Sequence, residues 1–362
     1  MIDLPKFKIG NLEINLIQGG MGVGISGRNL VSAVAECGGA GIIASVGLGL
    51  LQDHSGSYTE GNVMALRDEI RAARQLSNRV IGVNIMRVLT DYANMVDVAV
   101  EEGVDLIITG AGIAKDLPER IRDKDISLVP IVSDQRVAKI MTKAWDKYGK
   151  VPDAFIVEGP EAGGHLGYKY DDLVNQTAPS LEDIAKDVIR FADNPDNFDK
   201  PVPVIVAGGI YTGQDIAYYR DIGAAGVQMA TRFVTTHECD ASDAFKQTYL
   251  DAEKEDIQII KSPVGIPGRA IINKFLAETQ RGNKRKFKCY FKCIRPCKPK
   301  ESPYCIAEAL AGAQQGNFTR GFAFAGSNAY RATEESCLDE SGQFITVKTL
   351  MQRLSDEYHR SG

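Results

Sequence analysis

The chain has 362 residues, 44% of them hydrophobic, and a formal net charge of −5; that is enough apolar content for one barrel-sized core and a smaller appendage. No apolar run reaches the roughly 18 to 20 uncharged residues of a membrane span, and MIDLPKFKIG lacks the basic start and apolar middle of a secretory signal, so a soluble cytoplasmic protein is expected. The mild overall charge argues against a polyanion partner for the chain as a whole.

Short runs rich in Val and Ile recur along the chain with helix-like stretches between them. This is the pattern of parallel strands buried on both faces. In chain order they are INLIQ (14–18), AGIIAS (40–45), VIGVNI (80–85), VDLIIT (104–109), SLVPIV (127–132), AFIVE (154–158), VPVIVA (202–207) and GVQMA (226–230). Amphipathic stretches such as GRNLVSAVAECG and DQRVAKIMTKAWDKYG separate them and close on glycine, as helices often do. Eight such units predict a (β/α)8 TIM barrel over residues 1–235; a doubly wound open sheet is the alternative. The segment 175–201 carries one helix between polar flanks and is expected outside the barrel core. After residue 235 the rhythm stops. Helices are expected at 239–256 and 303–316 and a turn-rich return at 259–276, giving a smaller, mostly helical region, 236–362.

In a barrel of this kind, chemistry belongs to the loops at the C-terminal ends of the strands. The first strand runs into QGGMGVG, where Gly20, Met21 and Gly22 offer a backbone floor for a flat ring, with the Met21 amide close to it. The third ends at Asn84, whose amide suits a heteroaromatic edge, and Ser133 and Gln135 after the fifth offer similar groups. Gly208 and Gly209 after the seventh strand, with Thr231 and Arg232 after the eighth, form a candidate phosphate cradle. EGPEAGGHLG follows the sixth. There Gly163 and Gly164 let His165 approach a bound ring, placed to move a proton or to hold a carbonyl. His54, His237 and His359 read as ordinary loop or surface histidines, and Glu158 and Glu161 as no more than supporting groups.

Taken as an ordered set, IQGGMG, VN, EGPEAGGHLG, VPVIVAGGI, GVQMATRF and SPVGIPGRAI resemble the nitronate monooxygenase family and its relatives, the FMN-dependent enoyl-acyl-carrier-protein reductases. The likeness runs from about residue 10 to about residue 275. It implies FMN at the barrel mouth, its phosphate at Gly208, Gly209, Thr231 and Gln228, its ring near Gly20, Met21 and Gly22, and its edge near Asn84. His165 then matches the family's active-site histidine. The resemblance implies oxidation of a nitronate or related carbon acid, or else reduction of an enoyl thioester with NAD(P)H as donor. Small-molecule substrates follow from either, no membrane partner is expected, and the sequence leaves a homodimer open.

The tail departs from that family. KCYFKCIRPCKPKESPYC, within the basic segment 281–305, spaces Cys289, Cys293, Cys297 and Cys305 as C-x3-C-x3-C-x7-C, and nine Lys or Arg fall between 281 and 300. Four thiolates fit a [4Fe–4S] cluster or zinc. Two rivals to a flavin enzyme stand beside it: a phosphate-binding barrel without redox activity, and a protein whose basic tail contacts a partner. Nucleic acid is not favoured, since aromatic residues in the tail are few.

Overall fold

A computed structural model describes residues 2–52, 56–121 and 124–360. Eight strands close into a barrel, each parallel to its neighbours and adjacent to the next in sequence: β1 (Ile17–Gln18), β2 (Ala40–Ala44), β3 (Ile81–Met86), β4 (Leu106–Gly110), β5 (Ser127–Val132), β6 (Phe155–Glu158), β7 (Val204–Ala207) and β8 (Gly226–Met229). Closure comes where β8 pairs back to β1, with Gln228 opposite Ile17. Every expected apolar run supplies one strand, and the fold is the (β/α)8 barrel. All residues of β2 and β4 are buried, as a strand between a filled interior and a ring of helices requires.

Ile17, Ile42, Leu106, Ile108, Val129, Ile156 and Ile205 fill the barrel interior. An antiparallel hairpin, Phe7–Ile9 with Leu12–Ile14, closes its base and adds Phe7, Ile9 and Ile14 to the same cluster. The Phe7 ring packs so tightly on Gly226 that a Cβ there would sit 2.2 Å from it. Three-residue strands carry too little alternation to be legible in sequence. With the base plugged, chemistry is left to the opposite mouth.

Contrary to expectation, the segment 175–201 does not stand apart from the core. Its helix, Leu181–Ala192, buries Leu181, Ile184, Val188 and Phe191 in one cluster with Phe155, Val157, Val204 and Val206. It is the barrel helix between β6 and β7, and the polar flanks are its connections. After β8 the chain makes only one helical turn, Thr231–Val234. The place of an eighth barrel helix is taken by Val347–His359, which packs on the helix Gly213–Asp221 and buries Leu350, Met351 and Leu354 beside Ile216 and Phe233.

Residues 257–271 form a hairpin, Ile257–Lys261 with Pro267–Ile271, rather than a turn-rich return. Isoleucines at 257, 259 and 260 favour extended chain on either side of a Pro263 to Gly265 turn. The second strand pairs with Gly164–His165, with Gly268 opposite His165. Helices stand at Asp243–Leu250 and Ile306–Gln314, inside the two stretches expected to be helical. His54 lies outside the described residues. Among the described residues no helix is long and apolar enough to cross a membrane.

Candidate active site

A cavity of about 280 Å³ occupies the barrel mouth. Gly20, Met21, Gly22, Asn84, Gly163, Gly164, His165, Gly208, Gly209, Gln228 and Thr231 all line it. Residues scattered over some 200 positions meet because each ends a strand or follows one. The roof comes from elsewhere: Tyr58, Phe245, Tyr249, Ile294, Phe322 and Phe324 turn apolar surface toward the same space.

The residues fit a bound FMN. Gly208 and Gly209 have φ of +96° and +82°, and their N–H groups donate to no other described part of the chain. A side chain at 208 would place its Cβ 2.9 Å from the Ala162 nitrogen and 3.1 Å from the Gly159 oxygen. The turn therefore needs glycine, and it leaves backbone donors open for an anion. Gln228 Oε1 is buried with no hydrogen-bond partner, an orphaned acceptor on the cavity wall that a ligand donor would satisfy.

Several expected groups are engaged elsewhere. The Met21 N–H donates to Ser26 Oγ at 2.8 Å, so this amide is not free for a ring. Thr231 Oγ1 accepts from the Gly326 N–H at 3.0 Å, which leaves its own hydroxyl proton available to a phosphate. Arg232 is buried and faces away from the cavity, bound through both terminal nitrogens to Glu357 at 2.8 and 2.9 Å. It is a tie to the C-terminal helix and not a phosphate ligand. Ser133 and Gln135 are not among the lining residues, and Gln135 donates to the Asp187 carbonyl at 3.0 Å.

The loop that carries His165 is glycine-rich but well anchored. Arg269 donates to the carbonyls of Pro160 and Ala162 at 2.8 and 3.3 Å, Leu166 N–H to Pro267 O at 2.9 Å, and Ser327 N–H to Glu161 O at 3.0 Å. Gly163 is needed for approach rather than mobility, because a Cβ there would lie 2.6 Å from the backbone of Ala325 and Gly326. His165 Nε2 sits 2.8 Å from Ser262 Oγ, and its ring meets Phe324 edge-on at 4.9 Å. Burial lowers its pKa to about 4, so the imidazole is neutral at physiological pH.

Glu158, assigned only a supporting role from sequence, ends β6 and lines the same cavity. Burial alone pushes its carboxyl up to about 7. Two titratable groups whose environments drive their pKa values in opposite senses mark a candidate acid and base. The signal was its place as the last residue of a barrel strand.

The four-thiolate cage expected from cysteine spacing is not preformed. Among the described residues no group of three or more His, Cys, Asp or Glu is arranged to hold a metal ion. Cys289, Cys293 and Cys297 lie along the tail and Cys305 caps the helix Ile306–Gln314: Cys293 is buried and lines the cavity, and the other three are half-buried. Burial, with the neighbouring thiols Cys305, Cys297 and Cys289, pushes Cys293 up to about 12, which keeps it protonated.

Comparison with known proteins agrees with this architecture. FabK from Thermotoga maritima superposes with a TM-score of 0.74 over 98% of this chain and 95% of its own, at 24% identity. A Mycobacterium tuberculosis enzyme, (3aS,4S,5R,7aS)-5-hydroxy-7a-methyl-1-oxo-octahydro-1H-indene-4-carboxyl-CoA dehydrogenase, is 28% identical over 284 residues, 77% of this chain and 69% of that protein. A probable nitronate monooxygenase of Staphylococcus aureus is 26% identical over 309 residues, covering 74% and 78%. The family model for nitronate monooxygenase matches residues 5–345, and the chain belongs to that family of flavin oxidoreductases.

Proposed function

We propose that this chain is an FMN-dependent oxidoreductase acting on an activated carbon acid, a nitronate or its parent nitroalkane, with His165 moving the proton at the α-carbon. The observation that carries this is an imidazole on the wall of the barrel-mouth cavity, 2.8 Å from Ser262 Oγ and kept neutral by burial. Bound FMN supplies the electron acceptor or donor. Gly208, Gly209 and Gln228 hold it, and the turn after β1 carries its ring. The tautomer with its proton on His165 Nε2 donates to Ser262 Oγ and leaves the Nδ1 lone pair as base. The apolar roof keeps bulk water from the carbanionic carbon, and Glu158 serves as a second proton-holding group.

A second reading has its own support. The roof of Tyr58, Ile294, Phe322 and Phe324 offers more apolar surface than a small nitronate covers, which suits an acyl chain, and the mycobacterial relative is named for a CoA ester. Here NAD(P)H would be the donor and an enoyl thioester the acceptor. Purified protein should show flavin bands. Oxygen consumption with nitronates supports the first reading, whereas NAD(P)H oxidation that depends on an enoyl thioester replaces it with the second. Colourless protein that takes up no FMN would sink both. The finer assignment of a [4Fe–4S] cluster or zinc to the four cysteines is decided on the same anaerobic sample: about four irons per chain with acid-labile sulfide, or one zinc, would establish it.

A pH profile checks the assignment of proton groups. With a substrate that does not itself titrate, His165 stays neutral from about pH 5 upward, so it contributes no limb there. Glu158 loses its proton near 7, and kcat/KM should bend once, near that pH. Glu158→Gln should flatten the profile; a bend near the ordinary histidine value that survives the substitution would show a solvated His165.

A further inference from the structure

The tail 281–300 has nine Lys or Arg and no Asp or Glu, and its backbone is laid out so that four of the lysines share one exposed side. From 284 to 292 exposure alternates. Lys284, Lys286, Lys288, Tyr290 and Lys292 point outward, while Arg285, Phe287, Cys289 and Phe291 are half-buried, the two-residue period of extended chain. Among the described residues only Arg285 and Lys298 of the nine have an acidic partner, Glu278 and Glu301. The Lys288 ammonium lies 5.1 Å from the centre of the Tyr290 ring, and Tyr290 is 67% exposed, more than any other large hydrophobic side chain among the described residues.

This segment is fastened to the cavity rim. The Thr90 N–H and hydroxyl donate to Cys293 O at 3.1 and 3.3 Å, and the Arg295 N–H to Val88 O at 3.0 Å. Phe291 packs on Tyr58 with ring centres 5.8 Å apart. Cys293 and Ile294 line the cavity itself, so Lys292 and Arg295, both exposed, flank its wall on the outer side. A molecule whose reactive end reached His165 and whose other end left past this wall would meet unpaired cations and then an exposed aromatic face.

We propose that this basic strip binds the phosphorylated adenosine diphosphate end of a substrate or co-substrate, a group that carries its extra phosphate at the 3′ position in coenzyme A thioesters and at the 2′ position in NADPH. Ammonium and guanidinium groups take the phosphates, and Tyr290 gives the adenine a surface to stack on. A single exposed ring beside an enclosed cavity suits one base rather than a run of them. The strip rests on the flavin-site reading for what lies at the ligand's other end, and on nothing in that reading for the phosphates.

The probes are adenosine 3′,5′-bisphosphate and adenosine 2′,5′-bisphosphate, each titrated calorimetrically into the flavin-loaded protein. The substitutions are Lys286→Glu with Lys288→Glu and Lys292→Glu, and separately Tyr290→Ala; all four side chains are exposed and leave the fold intact. The triple change should weaken binding roughly ten-fold or more, with a steep salt dependence in the unchanged protein, and loss of the ring should weaken it about five-fold. Activity assays then separate the two sources: a raised KM for NADPH with NADH unaffected assigns the strip to the reductant, and a raised KM for a CoA thioester with its pantetheine analogue unaffected assigns it to the acyl substrate. Bisphosphate binding that is absent, or untouched by both changes, overturns the proposal, and so does tighter binding of a single-stranded oligonucleotide. Protein that binds bisphosphate yet takes up no FMN would overturn the flavin reading alone.

Discussion

His165→Ala should keep its flavin and lose turnover of a neutral nitroalkane by about 10²- to 10⁴-fold, the usual contribution of a positioned general base. The same variant should handle the pre-ionised nitronate far better, because that substrate has already lost its α-proton. Flavin retention is expected because the phosphate turn at Gly208 and Gly209 follows β7 and does not depend on the imidazole, which is held by Ser262 at 2.8 Å. Stopped-flow reduction with both forms of one nitroalkane, at a pH where each persists, separates proton removal from redox. Equal losses on both forms would make His165 a positioning residue, and no loss would remove it from the mechanism.

The largest effect on stability is expected from Glu357→Ala. Glu357 meets Arg232 at 2.8 and 2.9 Å and accepts from the Gly213 N–H at 2.8 Å. Although burial alone would raise it, the Arg232 hydrogen bonds and charge hold its carboxyl below the usual range. Removing the carboxylate leaves the Arg232 guanidinium, only 8% exposed, without its counter-charge. Such a loss costs about 3 kcal/mol or more, a fall of roughly 5 °C or more in the thermal midpoint. Restoring an apolar pair through Arg232→Met with Glu357→Leu should recover much of it. A midpoint for Glu357→Ala within about 1 °C of the parent would show that the C-terminal helix is held by its leucines alone.

The barrel was legible because its signal is redundant. Each of eight β-branched runs carries its own evidence, and a three-residue error at one, as at Ile17–Gln18, leaves the count intact. The floor of the cavity was legible for a related reason, since strand-end loops are where a barrel puts its chemistry. The roof was not. Tyr249, Phe322 and Phe324 reach the mouth only through packing of the region after β8, and no local pattern says where an aromatic side chain will land. Arg232 misled because a cation after β8 resembles a phosphate ligand until the helix carrying Glu357, 125 residues later, comes to meet it. The cysteine spacing predicted ligation from chemistry alone, whereas Cys293 went to the apolar interior beside Ile294.

The roof also sets the order in which a newly made chain becomes competent. The strand-end loops of the floor are made once residue 231 has left the ribosome, but Ile294, Phe322, Phe324 and Gly326 are still unmade. At about 5 to 20 residues per second that gap lasts several seconds or longer. During it the barrel presents an uncovered apolar mouth to the cell, and the loop of His165 lacks the Ser327 contact that helps to anchor it. A chain cut short before residue 327 would lack that contact, and one cut before residue 322 would also lack Phe322 and Phe324 over the mouth.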